Sequence, residues 1–497
     1  MFSGIIARNH TFITSRHGFL LFILGTLTAA GALRLFLFPG IGGDDGEQLI
    51  FAQAFDWGYQ LRNPPLYTWI VIAAQALFGV GIHTVIMVKF MLLAGIYLIL
   101  WRAALRLIAE PRDAALAAAT PMALFYLAWD SLHGFSHSIL VTLLYVATIL
   151  ALLRLDEAAT WDRFVGLGVV LGLGLLSKYA FALFALALLG AALLDPHLRQ
   201  RFGDRRIIVT LLIAAAIATP HFHWLFGHLQ DPPPGSGGGI KGLGRLIVAA
   251  LGFLSPLWLF LLVAYWPAVR TPTAPLGEAR RWCRFFERYL LILGLAAGLG
   301  VLFFHVDRVR THYMFVLIPF LLYFVLRFSA AAPAAAPRRL AALLSLCALT
   351  VLGGLVVKYL AEPVKCERCQ HHIPYPALAS ELVKAGFTGG TIFADWYPDP
   401  LPGNLRARFP ASRVISAKHP TVLPPLVAEG GQCLLVWPIT DDGDRGSATI
   451  AAANRVLKAG ISVDAVSATV TAPLAGISGR TYSLGYLLVS NGAGDCR

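Results

Sequence analysis

Long apolar runs alternate with short polar joints along this 497-residue chain until about residue 360, where the alternation stops. Apolar runs of roughly 17–25 residues are long enough to cross a hydrocarbon core as helices. The pattern predicts about eleven such spans, near 18–38, 84–107, 113–131, 134–154, 162–177, 179–194, 207–226, 245–268, 288–305, 312–329 and 340–360. The run Leu66–Phe78 is too short to span and lies between Pro65 and Gly79, which predicts an interfacial or re-entrant helix in the outer loop 39–82. Past Tyr359 the periodicity changes. Short β-rich runs (Thr391–Ala394, Arg413–Ile415, Cys433–Trp437, Tyr482–Val489) alternate with helical pieces (Pro376–Ala385, Ala448–Lys458). Residues 361–497 therefore read as a small α/β domain after a membrane domain of residues 1–360.

Composition settles the class. The chain is 57% hydrophobic and 13% charged, with a mean hydropathy of +0.68, whereas soluble domains are about half apolar and a quarter charged. It is a polytopic α-helical membrane protein. The net charge of +13 reads as a positive-inside bias, and no basic run with interleaved aromatics points to nucleic acid. The first apolar run spans and shows no small-residue cleavage site, so no cleaved signal is expected. If the N-terminus is cytoplasmic, arginines fall in alternate loops (Arg102, Arg106 and Arg112; Arg199, Arg201, Arg205 and Arg206; Arg280, Arg281 and Arg284; Arg338 and Arg339). The opposite loops are poor in Lys and Arg. The odd span number then puts the C-terminal domain outside the cytoplasm, in the periplasm of a bacterial inner membrane. There the four cysteines Cys366, Cys369, Cys433 and Cys496 are expected as disulfides of open pairing. Cys366-x-x-Cys369 with His371-His372 lacks a second ligand pair for a metal site.

The outer loops collect the unusual residues. Asp44 and Asp45 end the first span, followed by Glu47, Tyr59, Arg62 and the pair Pro64-Pro65. Asp130 with His133 and His137, the Ser177-Lys178-Tyr179 turn, Lys241 in a Gly-rich loop, and Arg308, Arg310, His312 and Tyr313 share that side. Ionisable groups at the mouth of a bundle cost free energy to desolvate and by default mark function. Each has a plainer reading: helix capping for the aspartates, snorkelling for Lys178, interfacial anchoring for Arg308 and Arg310, and core hydrogen bonding for the histidines. Together they match what sugar transfer from a polyprenyl-phosphate carrier needs. A carboxylate (Asp44 or Asp45, with Asp130 second) takes the acceptor proton. Cations (Lys178, Arg308, Arg310, Lys241) hold the leaving phosphate. Arg62, Tyr59, His133, His312 and Tyr313 are the candidate substrate contacts. No metal or cofactor is expected, although a divalent ion between Asp44 and Asp130 stays open. The Gly235–Gly244 patch lacks the GK[ST] ending of a P-loop and reads as a surface loop. The rival class is a lipid or sugar transporter, which usually shows internal repeats and polar groups at the bilayer midplane.

The order of an apolar span, Asp44-Asp45 at its outer end and then GYQLRNPPLYTW resembles the first outer loop of one GT-C glycosyltransferase superfamily. This is the superfamily of protein mannosyltransferases and aminoarabinose transferases. In that family an Asp-Glu pair precedes a Pro-Pro-Leu stretch entering a surface helix. AWDSLHGFSHS, GLGLLSKYA and RTHYMFVLIPF resemble it in the same order, and CERCQHHIPYPALASELVKAGFTGGTI and GNLRARFP are similar to rhizobial-type galacturonosyltransferases of lipopolysaccharide. The resemblance implies an inverting, metal-independent transfer from a polyprenyl-phosphate sugar, possible donor galacturonic acid, to lipid A or lipopolysaccharide core. A protein or another glycolipid is the alternative acceptor. It places the catalytic Asp at Asp44, with Asp45 standing where the family has Glu, the second-loop acid at Asp130 and the donor-phosphate Lys at Lys178.

Overall fold

The computed structural model describes residues 2–497 except 230–238, 272, 305, 307, 367–368, 398–399, 427–430 and 441–442. Among the described residues, six helices are each long and apolar enough to cross a membrane: Arg16–Leu37, Ile82–Leu107, Ser136–Glu157, Ile207–His228, Gly277–Phe303 and Ala336–Lys365. The number rises to eight if two pairs bent by 113° and 52° each count as one span. The other runs read from sequence fall on shorter pieces. Run 113–131 divides at Pro121 into Pro111–Ala119, Phe125–Ala128 and two 3-10 turns. Run 245–268 divides at Ser255-Pro256 into Gly239–Phe253 and Leu257–Arg270. Proline lacks the amide that continues a helix, so an apolar run can pass through it while the helix does not. The count of about eleven therefore goes beyond what length and apolarity establish.

The outer loop folds into two short helices, Gly43–Phe51 and Leu66–Phe78. The second keeps the bounds expected of the interfacial helix, and it stops at Gly79, whose φ of 83° favours glycine. The first starts earlier than Glu47. Gly42 is its N-cap and offers no side chain, so Asp44 and Asp45 lie inside its first turn instead of capping it. There the helix dipole favours their negative charge.

The Ala336–Lys365 helix leads into the α/β domain. Its strands are β1 (Gly390–Ala394), β2 (Arg413–Ser416), β3 (Gln432–Thr440), β4 (Gly443–Asp444), β5 (Ala468–Pro473) and β6 (Thr481–Val489). The sheet order is β2-β1-β3-β6-β5, with β4 paired to β3. β1 lies parallel to β2 and β3, while β6 is antiparallel to β3 and β5. Strands β1 and β3 are apolar and buried on both faces, as parallel pairing with helices on either side requires. β5 has a polar outward face and was not read from the sequence. Disulfides join Cys366 to Cys369 and Cys433 to Cys496.

This domain is seated on the outer loop. Ile50, Phe51 and Tyr59 share one buried cluster with Leu378, Leu401, Val414 and Val436. Asn404 donates to the Ile41 carbonyl and accepts from the Ile41 amide, both at 2.9 Å. Gln53 makes the same double exchange with Val414, at 2.7 and 2.8 Å. At the crossing, a Cβ on Gly403 would come within 2.5 Å of the Gly46 carbonyl oxygen. Any larger side chain there would lift the domain off the Gly43–Phe51 helix.

Candidate active site

The Gly43–Phe51 helix presents its acids in different directions, and their surroundings differ. Asp45 points into the bundle and is fully buried. It accepts from Lys89 Nζ and, at 2.6 Å, from Ser136 Oγ, while Lys89 also donates to the Gly134 carbonyl at 3.1 Å. A buried ion pair with its remaining valences bonded holds two segments in place. Glu47, also buried, points toward the soluble domain and accepts from Lys418 Nζ at 2.7 Å and His419 Nε2 at 3.2 Å. Its second oxygen accepts from Arg62 at 3.1 Å. Burial pushes the Glu47 carboxyl up, but His419 and Lys418 hold it down at about 2.

Asp44 is left on the partly exposed side of the helix, toward Arg62. Its side chain is one-third exposed, and among the described residues its one ion pair is Arg62 Nη2 at 3.7 Å, beyond hydrogen-bond range. Burial, and then the neighbouring Glu47 charge, push its carboxyl above the ordinary carboxylate value, with Arg62 opposing. A carboxylate so placed is a stronger base than a solvated one and has unfilled acceptor capacity.

Lys178 comes up from the turn between helices Trp161–Leu175 and Ala180–Leu194. Its Nζ donates to Ser138 Oγ at 2.7 Å and lies 5.9 Å from the Tyr313 ring centroid. Burial lowers its pKa to about 8, while Asp44 pulls it up and Arg62 pushes it down. Lys178, Arg310 and Arg62 all act electrostatically on His312, which packs against Phe135 at 5.0 Å. Asp44, Arg62, Lys178, Arg310, His312 and Tyr313 thus share one neighbourhood, with a base on one side and cations on the other.

Other expected residues lie elsewhere. Asp130 and His133 face a separate group, where Lys358 is the charge acting on Asp130. His133 packs 6.2 Å from both Phe38 and His371 and donates from Nδ1 to the Trp129 carbonyl. Asp130 opens the 3-10 turn Asp130–Leu132 and does not cap the Ser136–Glu157 helix. Tyr59 is buried in the loop itself, donating to the Ala54 carbonyl at 2.8 Å and accepting from the Asp56 amide at 2.9 Å. Arg308 and Lys241 are exposed, as Arg310 is. His305 and most of the Gly-rich loop, residues 231–238, lie outside the described residues. Among the described residues, no three His, Cys, Asp or Glu side chains are grouped to hold a metal ion.

Four contributors carry no assigned role in the sequence reading. Lys89 had a legible signal, a lone lysine inside an apolar span. Glu47 had only its place in the loop. Lys418 and His419 had none, since they meet Glu47 from 371 and 372 residues away.

Residues 62–224 match the model of the dolichyl-phosphate-mannose-protein mannosyltransferase family. The chain is 29% identical over 490 residues to the lipopolysaccharide core galacturonosyltransferase RgtA of Rhizobium johnstonii, covering 92% of this chain and 94% of that one. It is 26% identical over 419 residues to RgtB of the same organism, covering 80% and 83%. The fold matches the crystal structure of ArnT from Cupriavidus metallidurans bound to undecaprenyl phosphate. That match has a TM-score of 0.60 and 13% identity over 95% of this chain and 98% of that one. The resemblance read from the outer loop and tail segments holds across nearly the whole chain.

Proposed function

For a chain with the GT-C glycosyltransferase fold that resembles the rhizobial lipopolysaccharide galacturonosyltransferases, we propose a specific transfer. It moves a sugar, galacturonic acid, from a polyprenyl-phosphate carrier to lipid A or the lipopolysaccharide core at the periplasmic face of the inner membrane. The acceptor hydroxyl attacks the anomeric carbon and gives its proton to Asp44. The bond from that carbon to the phosphate oxygen breaks, and its electron pair leaves with the carrier phosphate. Attack opposite the leaving group inverts the anomeric configuration, and no metal is used. Lys178 and Arg62 face the negative charge that grows on the phosphate. Arg310 and His312 are placed for the uronate carboxylate. Asp45 does not react. Its pair with Lys89 and Ser136 fixes the helix turn that aims Asp44. Asp130 and His133 act outside the proton transfer.

One observation carries this reading: Asp44 is the acid of the turn with spare acceptor capacity, and it faces a side lined by cations. The test uses proteoliposomes with radiolabelled polyprenyl-phosphate galacturonic acid and lipopolysaccharide core. Asp44→Asn should stop formation of labelled glycolipid without lowering the melting temperature. Turnover unchanged in that variant removes Asp44 from the chemistry. Carrier movement across the bilayer with no labelled product would instead favour a transporter.

A further inference from the structure

Beside the site lies a cleft of about 520 Å³ that the donor chemistry does not use. It opens between the outer loop, the end of the Ile207–His228 helix and residues 418–424 of the soluble domain, and Phe55, Asp56, Tyr59, Trp224, His228 and Lys418 line it. Its aromatic wall is held rigidly. A Cβ on Gly58 would lie 2.2 Å from the Trp224 ring, so glycine is what lets the loop close against that ring. The Trp224 ring also stacks on His228 at 4.3 Å. The height of the cleft follows from its neighbours. Phe55, Trp57 and Trp69 form a cluster with ring centroids 5.2 to 5.6 Å apart, and Phe55 and Trp57 are exposed. Clusters of this kind sit at the headgroup level of a bilayer. The far wall connects to the site, because Lys418 binds Glu47, Glu47 binds Arg62, and Arg62 faces Asp44.

An aromatic face next to a carboxylate, an ammonium and an imidazole fits a particular kind of ligand. A sugar ring has an apolar C–H face that packs on an aromatic ring, with hydroxyls around its edge that both donate and accept. Asp56 and Lys418 nearly cancel in charge, so the cleft suits hydroxyls better than an isolated anion. Its size is that of a small-molecule pocket, and at headgroup level it meets the first sugars of a membrane-anchored lipid.

We propose that this cleft is the acceptor subsite and that it binds the oligosaccharide headgroup of a glycolipid by packing against Phe55 and the Trp224–His228 stack that line it. The inference rests on the transferase reading for the destination of the acceptor hydroxyl, but the binding itself does not depend on transfer. The test is calorimetric titration of the full-length chain in nanodiscs with delipidated core oligosaccharide. Undecaprenyl phosphate is titrated separately as the donor-side probe. Trp224→Ala and Phe55→Ala should each weaken oligosaccharide binding about tenfold, the order expected for losing one stacked ring. Trp224→Phe should restore most of it, and undecaprenyl phosphate should bind all variants alike. Phe55 is exposed, so its variant reports binding even if Trp224→Ala fails to fold. No oligosaccharide binding by the native chain, or native-level binding by Phe55→Ala, overturns the subsite whether or not the protein transfers sugar.

Discussion

The two ends of the Ser136–Glu157 helix hold acidic clusters that differ in how completely they are satisfied. At one end Asp156 accepts from two Arg281 nitrogens at 2.6 and 2.9 Å, and the same guanidinium reaches Asp195 at 3.0 Å and Glu278 at 2.9 Å. Asp195 also accepts from the amides of His197 and Leu198, both at 3.0 Å. At the other end, roughly 30 Å away along the helix, Asp45 and Glu47 are saturated in the same manner but Asp44 is not. Carboxylates that only hold a fold together use up their lone pairs. A carboxylate kept half-buried with capacity to spare is costly to the fold, and that cost makes sense where a substrate supplies the missing partner.

The largest break in this contrast is expected at Asp44. Asp44→Asn should lower kcat by about 10³-fold or more, with little change in thermal stability because no tight partner is lost. The sign of its pH response follows from the raised pKa. Asp44 must be ionised to accept a proton, so kcat/KM should rise with pH through a value above the ordinary carboxylate 3.8, then fall again near 8 as Lys178 loses the charge that faces the phosphate. A pH–rate profile with its acid limb at or below that value would contradict the role.

Arg281→Met should do the opposite. It leaves Asp156 and Asp195 without their shared cation and should cost about 3 kcal/mol in stability, while kcat per folded molecule stays at the native level. Denaturant titration of detergent-solubilised protein against specific activity separates the two effects. Lys178→Met comes next, with kcat/KM expected to fall about 10²-fold from loss of one cation at the leaving phosphate. Weaker undecaprenyl phosphate binding should accompany that fall.

The smallest effect concerns how the soluble domain is held. Glu47 is held near 2 in the folded chain against an ordinary 4.5. Its stabilising contribution is therefore complete above about 4.5 and is lost as pH falls toward 2. Half-exposed Lys418 and Arg62 screen the interaction, so the loss should be roughly 2 kcal/mol. Hydrogen exchange of the Gly43–Phe51 amides should rise across that window. Glu47→Gln should show raised exchange already at neutral pH and no further change on acidification.

Much of the architecture was legible because membranes impose a simple rule, that apolar runs become helices. The Leu66–Phe78 helix appeared with its bounds, since Pro65 and Gly79 mark both ends chemically. The grouping of Asp44, Arg62 and Lys178 at one rim could be inferred from where spans end. The separation of Asp44 from Asp45 could not. Neighbouring residues on a helix point about 100° apart, and which of them meets Lys89 depends on how the Ile82–Leu107 helix packs. Asp130 ends a span on the same side and looked equivalent, yet local turns carry it toward Lys358.

The sequence by itself determined that this chain lives in a membrane, that its acids and cations gather at one rim, and that a separate α/β segment follows. Periodicity and desolvation cost act along the chain and leave their mark in composition. Only the tertiary structure decided which carboxylate stays open and which are sealed. That choice depends on partners up to 372 residues away, and no local pattern encodes a contact between surfaces that meet only after folding.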